Sequence, residues 1–109
     1  MKRSLSLTVL MVVLLLTGCV SVGREFPTPT QEMIKNGVTT GVELVQRFGS
    51  PTHVGIENGD QTWSWVYVSA SGLGQPLSKE LRVRFDDRGV VKSYSYNSNL
   101  PEEVQQKTR

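Results

Sequence analysis

The hydrophobic and polar positions divide the chain into one nearly unbroken apolar run near its start and a series of shorter, periodic segments after it. The apolar run covers residues 5–16, follows Lys2 and Arg3, and has the layout of a secretory signal. It is about a dozen residues long, whereas a helix needs roughly 20 residues to cross the hydrocarbon core of a bilayer. The run therefore predicts a signal peptide over residues 1–18 rather than a permanent transmembrane helix.

A segment without periodicity follows the signal. Residues 19–30 carry Pro27 and Pro29, which fix their own φ and hold the preceding residues extended. We therefore predict a stalk over this range. Phe26 is either the one residue of the stalk that docks on the domain or an exposed aromatic side chain, and the sequence leaves both alternatives open.

Two short helices are predicted next. The first covers residues 31–35. Asn36 and Gly37 then stop it, because both residues tolerate the left-handed cap conformation. The second begins at Thr39 or Thr40 and ends at Gly49. Apolar residues at spacings of three and four give the second helix a stripe that another element must cover. The stripe consists of Val42, Val45 and Phe48, with Leu44 beside them.

The remaining pattern predicts antiparallel strands. Residues 52–57 form a weak strand candidate, and Asn58-Gly59 is a strong hairpin signal that leads into a second strand over residues 61–69. Side chains alternate between the two faces of a strand, so the aromatic residues of the second strand share one face, which we expect to be the core face. They are Trp63, Trp65 and Tyr67.

Two further strands complete the predicted sheet. Residues 79–85 alternate between apolar and charged side chains, with Arg82 and Arg84 directed outward. A turn with Gly89 at a positive-φ position leads to a last strand over residues 90–96. Either Val91, or Tyr94 and Tyr96, face the core in that last strand. The inward residues of the third strand are Leu81, Val83 and Phe85.

These elements predict an α+β fold of two layers, in which two short N-terminal helices pack on one face of a three- to four-stranded antiparallel sheet. The domain covers residues 31–97, and the polar residues 98–109 form a tail that we expect to fray. Removal of residues 1–18 leaves 91 of the 109 residues, which suffices for one small domain.

The only cysteine of the chain stands directly after the apolar run. Leu16-Thr17-Gly18-Cys19 resembles the bacterial lipobox, and this resemblance implies cleavage before Cys19 and attachment of a diacylglyceryl and an N-acyl group to it. Two or three acyl chains anchor a protein firmly, whereas one binds only marginally. Val20 in place of aspartate implies sorting to the outer membrane, with the domain facing the periplasm. The alternative is a plain secreted or buried cysteine after an uncleaved anchor.

Charge and titratable residues give little indication of catalysis or of nucleic-acid binding. Lys2 and Arg3 account for the formal net charge of +2, so the chain without its signal is neutral and lacks a basic stripe. His53 is the only histidine, and the adjacent Asp86 and Asp87 fall in a predicted turn. We therefore expect no enzyme, no metal and no cofactor beyond the lipid on Cys19.

A row of basic residues is the one candidate interaction surface that the charge pattern indicates. Arg82, Arg84 and Lys92 could meet anionic lipid heads or a partner that carries carboxylates. Such a row is also typical of the solvated face of a sheet, which carries no function.

Four short motifs of the predicted domain resemble those of the BamE/SmpA/OmlA-like outer-membrane lipoprotein family. The resemblance covers roughly residues 33–91 and implies the fold of two helices and a sheet that is also found in beta-lactamase inhibitory proteins. The chain departs from the family pattern in residues 26–29, where members of the family carry a Gln-Gly-Asn motif for contacts to partners or lipid. The motifs are Ile34-x-x-Gly37-Val38-Thr39-x-x-Val42, Phe48-Gly49-x-Pro51, Trp63-x-Trp65-x-Tyr67 and Phe85-Asp86-x-x-Gly89-Val90.

The resemblance implies a non-catalytic accessory role in outer-membrane protein assembly or envelope integrity, with barrel-assembly proteins or another envelope protein as partners. The alternative function is a periplasmic ligand-binding or enzyme-inhibitor-like domain outside the assembly complex. In that alternative, exposed aromatic residues and the loop over residues 72–78 would grip peptidoglycan or a protein ligand. Exposure of Trp63 and Trp65 distinguishes the two hypotheses.

Overall fold

The part of the chain that the structure describes is mostly β: one short helix lies on a five-stranded antiparallel sheet. The computed structural model describes residues 20–70 and 76–100, so the predicted signal, Cys19 and the tail beyond residue 100 lie outside the described residues. The elements are strand β1 (Val20–Val22), helix α1 (Gly41–Phe48), and strands β2 (His53–Glu57), β3 (Asp60–Ala70), β4 (Leu77–Phe85) and β5 (Val91–Ser98).

Strand β3 is the centre of the sheet. One side of β3 pairs with β4, which in turn pairs with β5. The other side is shared, because β2 pairs with residues 60–64 and β1 pairs with residues 68–70. The predicted hairpin between β2 and β3 is present: Asn58 and Gly59 have φ values of 50° and 85°, which a tight two-residue connection requires.

The prediction of two helices on a three- to four-stranded sheet was wrong. Residues 31–35 form turns rather than a helix, and β1 adds a strand that was not predicted. The physical reason lies in the backbone hydrogen bonds just after this segment. The N–H of Gly37 donates to the carbonyl of Val91 over 2.7 Å, and the N–H of Val91 donates to the carbonyl of Thr39 over 2.8 Å. The chain there is held against the start of β5, and five residues are too few to sustain a helix alone.

Helix α1 is capped as its sequence predicts. Thr40 is the N-cap, and its hydroxyl oxygen accepts a hydrogen bond from the N–H of Glu43. Gly49 ends the helix with φ of 83°, and its N–H donates to the carbonyl of Val45. Both ends of the helix are therefore defined by capping hydrogen bonds.

The buried face of α1 differs from the predicted stripe. Leu44 and Phe48 are buried, whereas Val42 is 70% exposed. Gly41 explains the difference, because a Cβ there would lie only 2.8 Å from the ring of Trp63. The helix therefore approaches the sheet along Gly41, Leu44 and Phe48, at spacings of three and four, and turns Val42 toward solvent.

The core lies between the helix and one face of the sheet. Strand β4 contributes its inward residues as predicted, and Trp65 is the largest buried side chain of β3. The core residues are Phe26, Ile34, Leu44, Phe48, Trp65, Leu81, Val83, Phe85 and Val91.

A β-bulge determines which side of β5 faces the core. Val91 lies opposite Phe85, but Ser93 lies opposite Arg84, so Lys92 is an extra residue in the ladder. The extra residue shifts the alternation, and Val91 is buried while Tyr94 and Tyr96 also pack against the core. The two alternatives that the sequence left open are therefore both realised, one on each side of the bulge.

Candidate interaction surfaces

The segment after β1 is docked on the domain through Phe26. The Phe26 ring is 2% exposed and meets the rings of Phe48 and Tyr96 edge-on, with centroids 6.4 Å apart in both cases. Such aromatic contacts add about 0.5–1.5 kcal/mol beyond the burial itself. Of the two alternatives for Phe26, the structure shows the docked one.

A buried lysine holds the same segment. Lys79 is 5% exposed, and its Nζ donates to the carbonyl oxygen of Phe26. The ammonium lies 4.8 Å from the ring centroid of Phe26 and 5.9 Å from that of Tyr67. A buried cation is costly unless it is compensated, and here a carbonyl and two aromatic rings surround it. Lys79 and Phe26 therefore form a clamp that fixes the chain between β1 and the first turns.

Lys79 was missed by the sequence reasoning, although the chain carried a signal for it. It stands two residues before Leu81 in a strand whose odd positions are buried, so alternation alone places it on the core face. Sequence patterns normally assign lysine to solvent, which is why the signal was overlooked.

Gly23 connects β1 to the clamp at a very close approach to the sheet. Its φ is 78°, and a Cβ at this position would lie 1.9 Å from the carbonyl oxygen of Val66. Only glycine fits both the dihedral angle and the space. The segment predicted as a stalk thus lies along the domain from β1 to Phe26.

The basic residues predicted as an interaction surface are each paired with a carboxylate. Arg82 contacts Glu57 over 3.0 Å, while Asp60 accepts from both Arg84, over 2.7 Å, and Lys92, over 3.0 Å. The hydrogen bonds from Lys92 and from Arg84 lower the pKa of the Asp60 carboxyl below its ordinary value of 3.8. Three cations against two anions leave this face far less basic than the sequence alone indicates.

The outer face of the sheet, which is the face away from α1, has a second and apolar region. Val22 lies opposite Val68, and both stand on the same face as Val66, two positions earlier along β3. Val22 is 57% exposed, and the two valines of β3 are half-buried. We call these three residues the anchor-end patch, because Val22 lies three positions after Cys19, the residue predicted to carry a lipid anchor.

Strand β2 forms an exposed edge at the other end of β3. Val54 and Ile56 are 60% and 79% exposed. Among the described residues β2 pairs with β3 alone, so its second side presents unpaired backbone groups. An edge strand with exposed aliphatic side chains is typical of a surface that pairs with another chain.

The remaining motif residues have structural roles. The carbonyl oxygen of Gly49 accepts a hydrogen bond from the indole N–H of Trp65 over 2.9 Å. Pro51, two residues later, is half-buried. Thr39 is buried, and its hydroxyl oxygen accepts the N–H of Lys35 over 2.8 Å.

Two of the motif turns depend on positive-φ glycines. Gly37 and Gly89 have φ values of 80° and 79°. In the second turn the N–H groups of Arg88 and Val90 donate to the carboxylate of Asp86. The bond from Val90, more than those from Arg88, lowers the pKa of the Asp86 carboxyl.

The aromatic residues of β3 do not form a ligand platform. Trp65 is 2% exposed, and Trp63 packs on Phe85 with ring centroids 4.8 Å apart. Tyr67 is partly buried and packs against the core beside Lys79. The ligand-binding alternative invoked the loop over residues 72–78, and residues 72–75 of it lie outside the described residues.

Chemistry-bearing side chains are dispersed over the domain. His53 is exposed at the start of β2. Within residues 20–70 and 76–100, no three side chains of His, Cys, Asp or Glu converge as metal ligands. In the same part of the chain no helix has the length and apolar character needed to cross a bilayer. The surfaces that stand out are therefore the β2 edge and the anchor-end patch.

The described residues form a small, mostly β domain with one capped helix, and apolar side chains are exposed on β1, on β2 and on α1. The chain is similar to the outer membrane protein assembly factor BamE of Haemophilus influenzae, with 29% identity over 84 residues, or 77% of this chain. It spans about 60% of the length of that relative. The name of this relative is that of the family whose motifs the sequence resembles. No family model matches the chain, and no solved structure matches it.

Proposed function

We propose that the chain is an outer-membrane lipoprotein with a non-catalytic, accessory role in the assembly of outer-membrane proteins. In this proposal Cys19 carries the acyl groups, Val20 directs sorting, and the domain faces the periplasm. The observation that carries the proposal is the similarity over 84 residues to a protein named as an outer membrane protein assembly factor.

The docked segment bears on where a partner would bind. Residues 26–29 stand where the BamE/SmpA/OmlA-like family that the sequence resembles has its partner-contacting motif. Phe26 of this stretch is buried against the domain itself. A side chain that is 2% exposed has little surface to offer a partner. The contacts to assembly proteins in our proposal therefore use another surface.

The β2 edge is the surface that best fits such a contact. Its backbone groups face outward over five residues, and Val54 and Ile56 supply apolar side chains beside them. An extended segment of a barrel-assembly protein could add a strand there, because backbone pairing gives affinity and the alternate side chains give specificity. The ion pairs of Glu57 and Asp60 flank the edge and limit how a partner strand can align.

Affinity capture from intact cells tests the proposal. The native lipoprotein, crosslinked in cells and purified in mild detergent, is expected to recover barrel-assembly proteins. Ile56→Lys is expected to reduce that recovery, because a charge on the edge opposes strand addition. Val42→Lys places the same charge on the exposed face of α1 and serves as the matched control. Absence of barrel-assembly proteins from the wild-type capture would overturn the proposed role, and equal recovery with both variants would exclude the β2 edge.

A further inference from the structure

The position of β1 sets the distance between the proposed anchor and the sheet. Val20 pairs with Ala70, and Val22 pairs with Val68. Cys19 precedes Val20 directly, and consecutive Cα atoms are about 3.8 Å apart. Acyl chains on Cys19 would therefore leave the chain within one residue of the sheet, with no linker between anchor and domain.

The two ends of the outer face differ in chemistry. Near Ala70 the face carries the anchor-end patch, with Ser78 opposite Val68 and Glu80 opposite Val66. At the other end of β3 it carries the ion pairs that join β2, β3, β4 and β5. The 11 residues of β3 separate these ends by about 35 Å, at roughly 3.3 Å per residue. The apolar end is thus the end beside Cys19.

We propose that the anchor-end patch rests on the lipid bilayer once Cys19 is acylated, so that the domain is held in one orientation. This inference depends on the lipidation that the proposed function assumes. The acyl chains supply the affinity, and the patch selects the orientation, because tethering turns a weak apolar contact into an intramolecular one. The β2 edge and the turn over residues 86–89 then point away from the membrane, toward the periplasm.

The rigidity of the N-terminal segment makes such an orientation possible. Gly23 presses on the carbonyl of Val66, and the clamp of Lys79 and Phe26 holds the next residues. A flexible linker would let the domain tumble below its anchor. Here the backbone next to the anchor is part of the sheet, so the direction of the anchor and the direction of the sheet are coupled.

Fluorescence quenching on vesicles tests the orientation. The full-length lipoprotein is reconstituted into vesicles of phosphatidylethanolamine and phosphatidylglycerol that contain a headgroup nitroxide lipid. Acylation consumes the thiol of Cys19, the only cysteine, so an introduced cysteine is a unique labelling site. Ser78→Cys reports on the anchor end, while Ile56→Cys and Val42→Cys report on the β2 edge and the helix; all three positions are exposed.

We expect the label at position 78 to be quenched several-fold more than those at positions 56 and 42, and Val22→Ser to reduce that difference. Flotation of the vesicles is measured first. A protein that does not float lacks the lipid anchor, which would overturn the proposed lipidation and with it this inference. A protein that floats but shows equal quenching at all three positions would overturn the orientation alone. Preferential quenching that Val22→Ser leaves unchanged would overturn the role of the patch.

Discussion

The indole N–H of Trp65 donates to the carbonyl oxygen of Gly49 over 2.9 Å, which joins the middle of β3 to the residue that ends α1. Gly49 has φ of 83°, so its conformation both ends the helix and presents a carbonyl to the sheet. Two motifs that were recognised separately in the sequence are thus one structural unit. The second tryptophan of the pair differs, because the buried Nε1 of Trp63 has no acceptor among the described residues.

This difference between the two tryptophans gives a matched pair of variants. Trp65→Phe removes the hydrogen bond and leaves the carbonyl of Gly49 without its partner, which costs about 1–3 kcal/mol in addition to the lost packing. Trp63→Phe removes a donor that is already unsatisfied, so it lowers the free energy of unfolding by less. Urea denaturation of both variants measures the difference. A larger loss for Trp63→Phe would contradict the assigned hydrogen bond.

Phe26→Ala is expected to release the N-terminal segment. Truncation of a buried phenylalanine costs about 3–5 kcal/mol, and it also removes one of the rings beside the ammonium of Lys79. Limited trypsin digestion at the exposed Arg24 is the direct measurement, and we expect faster cleavage there. Pro27→Ala, at the exposed neighbouring position, serves as the control and is expected to leave cleavage unchanged.

Alanine substitutions at Gly23 and Gly37 distinguish the cost of a strained dihedral angle from the cost of a steric clash. Both have φ near 80°, but a Cβ meets the carbonyl of Val66 at position 23 and nothing within 4 Å at position 37. Gly37→Ala is expected to lower the free energy of unfolding by about 1–2 kcal/mol through the dihedral angle alone. Gly23→Ala is expected to cost more and to expose the amides of β1 to hydrogen exchange. Equal losses in the free energy of unfolding for the two variants would show that the clash at position 23 adds no cost, because β1 can shift without destabilising the sheet.

Acid is expected to destabilise the domain through Asp60 and Asp86. Neighbouring donors lower both folded-state pKa values below the ordinary 3.8. The stabilisation is therefore complete above 3.8 and is lost as the pH falls through the lower folded-state values. Asp60→Asn is expected to flatten this dependence in a series of urea denaturations. An unchanged slope in Asp60→Asn would contradict the assigned contacts with Lys92 and Arg84.

Cys19→Ser tests the proposed lipid anchor. The substitution removes the only thiol to which a diacylglyceryl group could be attached. We expect the variant to lose incorporation of labelled fatty acid and to leave the membrane fraction, while the wild type retains both. A variant that still carries label, or that remains in outer-membrane fractions, would show that another feature of the chain holds it there.

Strands β2 to β5 could be predicted because their signals are local. Asn58-Gly59 specifies its hairpin within a few residues, and the alternation from Leu81 to Phe85 specifies a buried face. The Thr40 cap and the Gly49 end of α1 are equally local. The existence of β2 and the inward face of β3 follow from the same patterns, whereas the edge position of β2 does not.

The features that escaped prediction depend on distant partners. Residues 31–35 have a helical pattern, but the chain that follows them is held by the backbone of Val91. Strand β1 has only three residues and forms because β3 extends far enough to pair with it. The clamp of Lys79 depends on Phe26, 53 positions earlier. The members of each pair lie too far apart in the sequence for a local pattern to include both. The position of β1 and the clamp of Lys79 and Phe26 could therefore not be predicted from the sequence.

The pairing of β1 with β3 also has a consequence for the order of folding. The hairpin of β2 and β3 closes over two residues, whereas Val20 must find Ala70 across 50 positions of chain. Contacts of such long range are slow to form, because the entropy of closing the intervening chain is lost before the contact gives any stabilisation. We expect the segment beside Cys19 to become rigid last, so that the enzymes that would process the proposed signal could reach it until the sheet is complete.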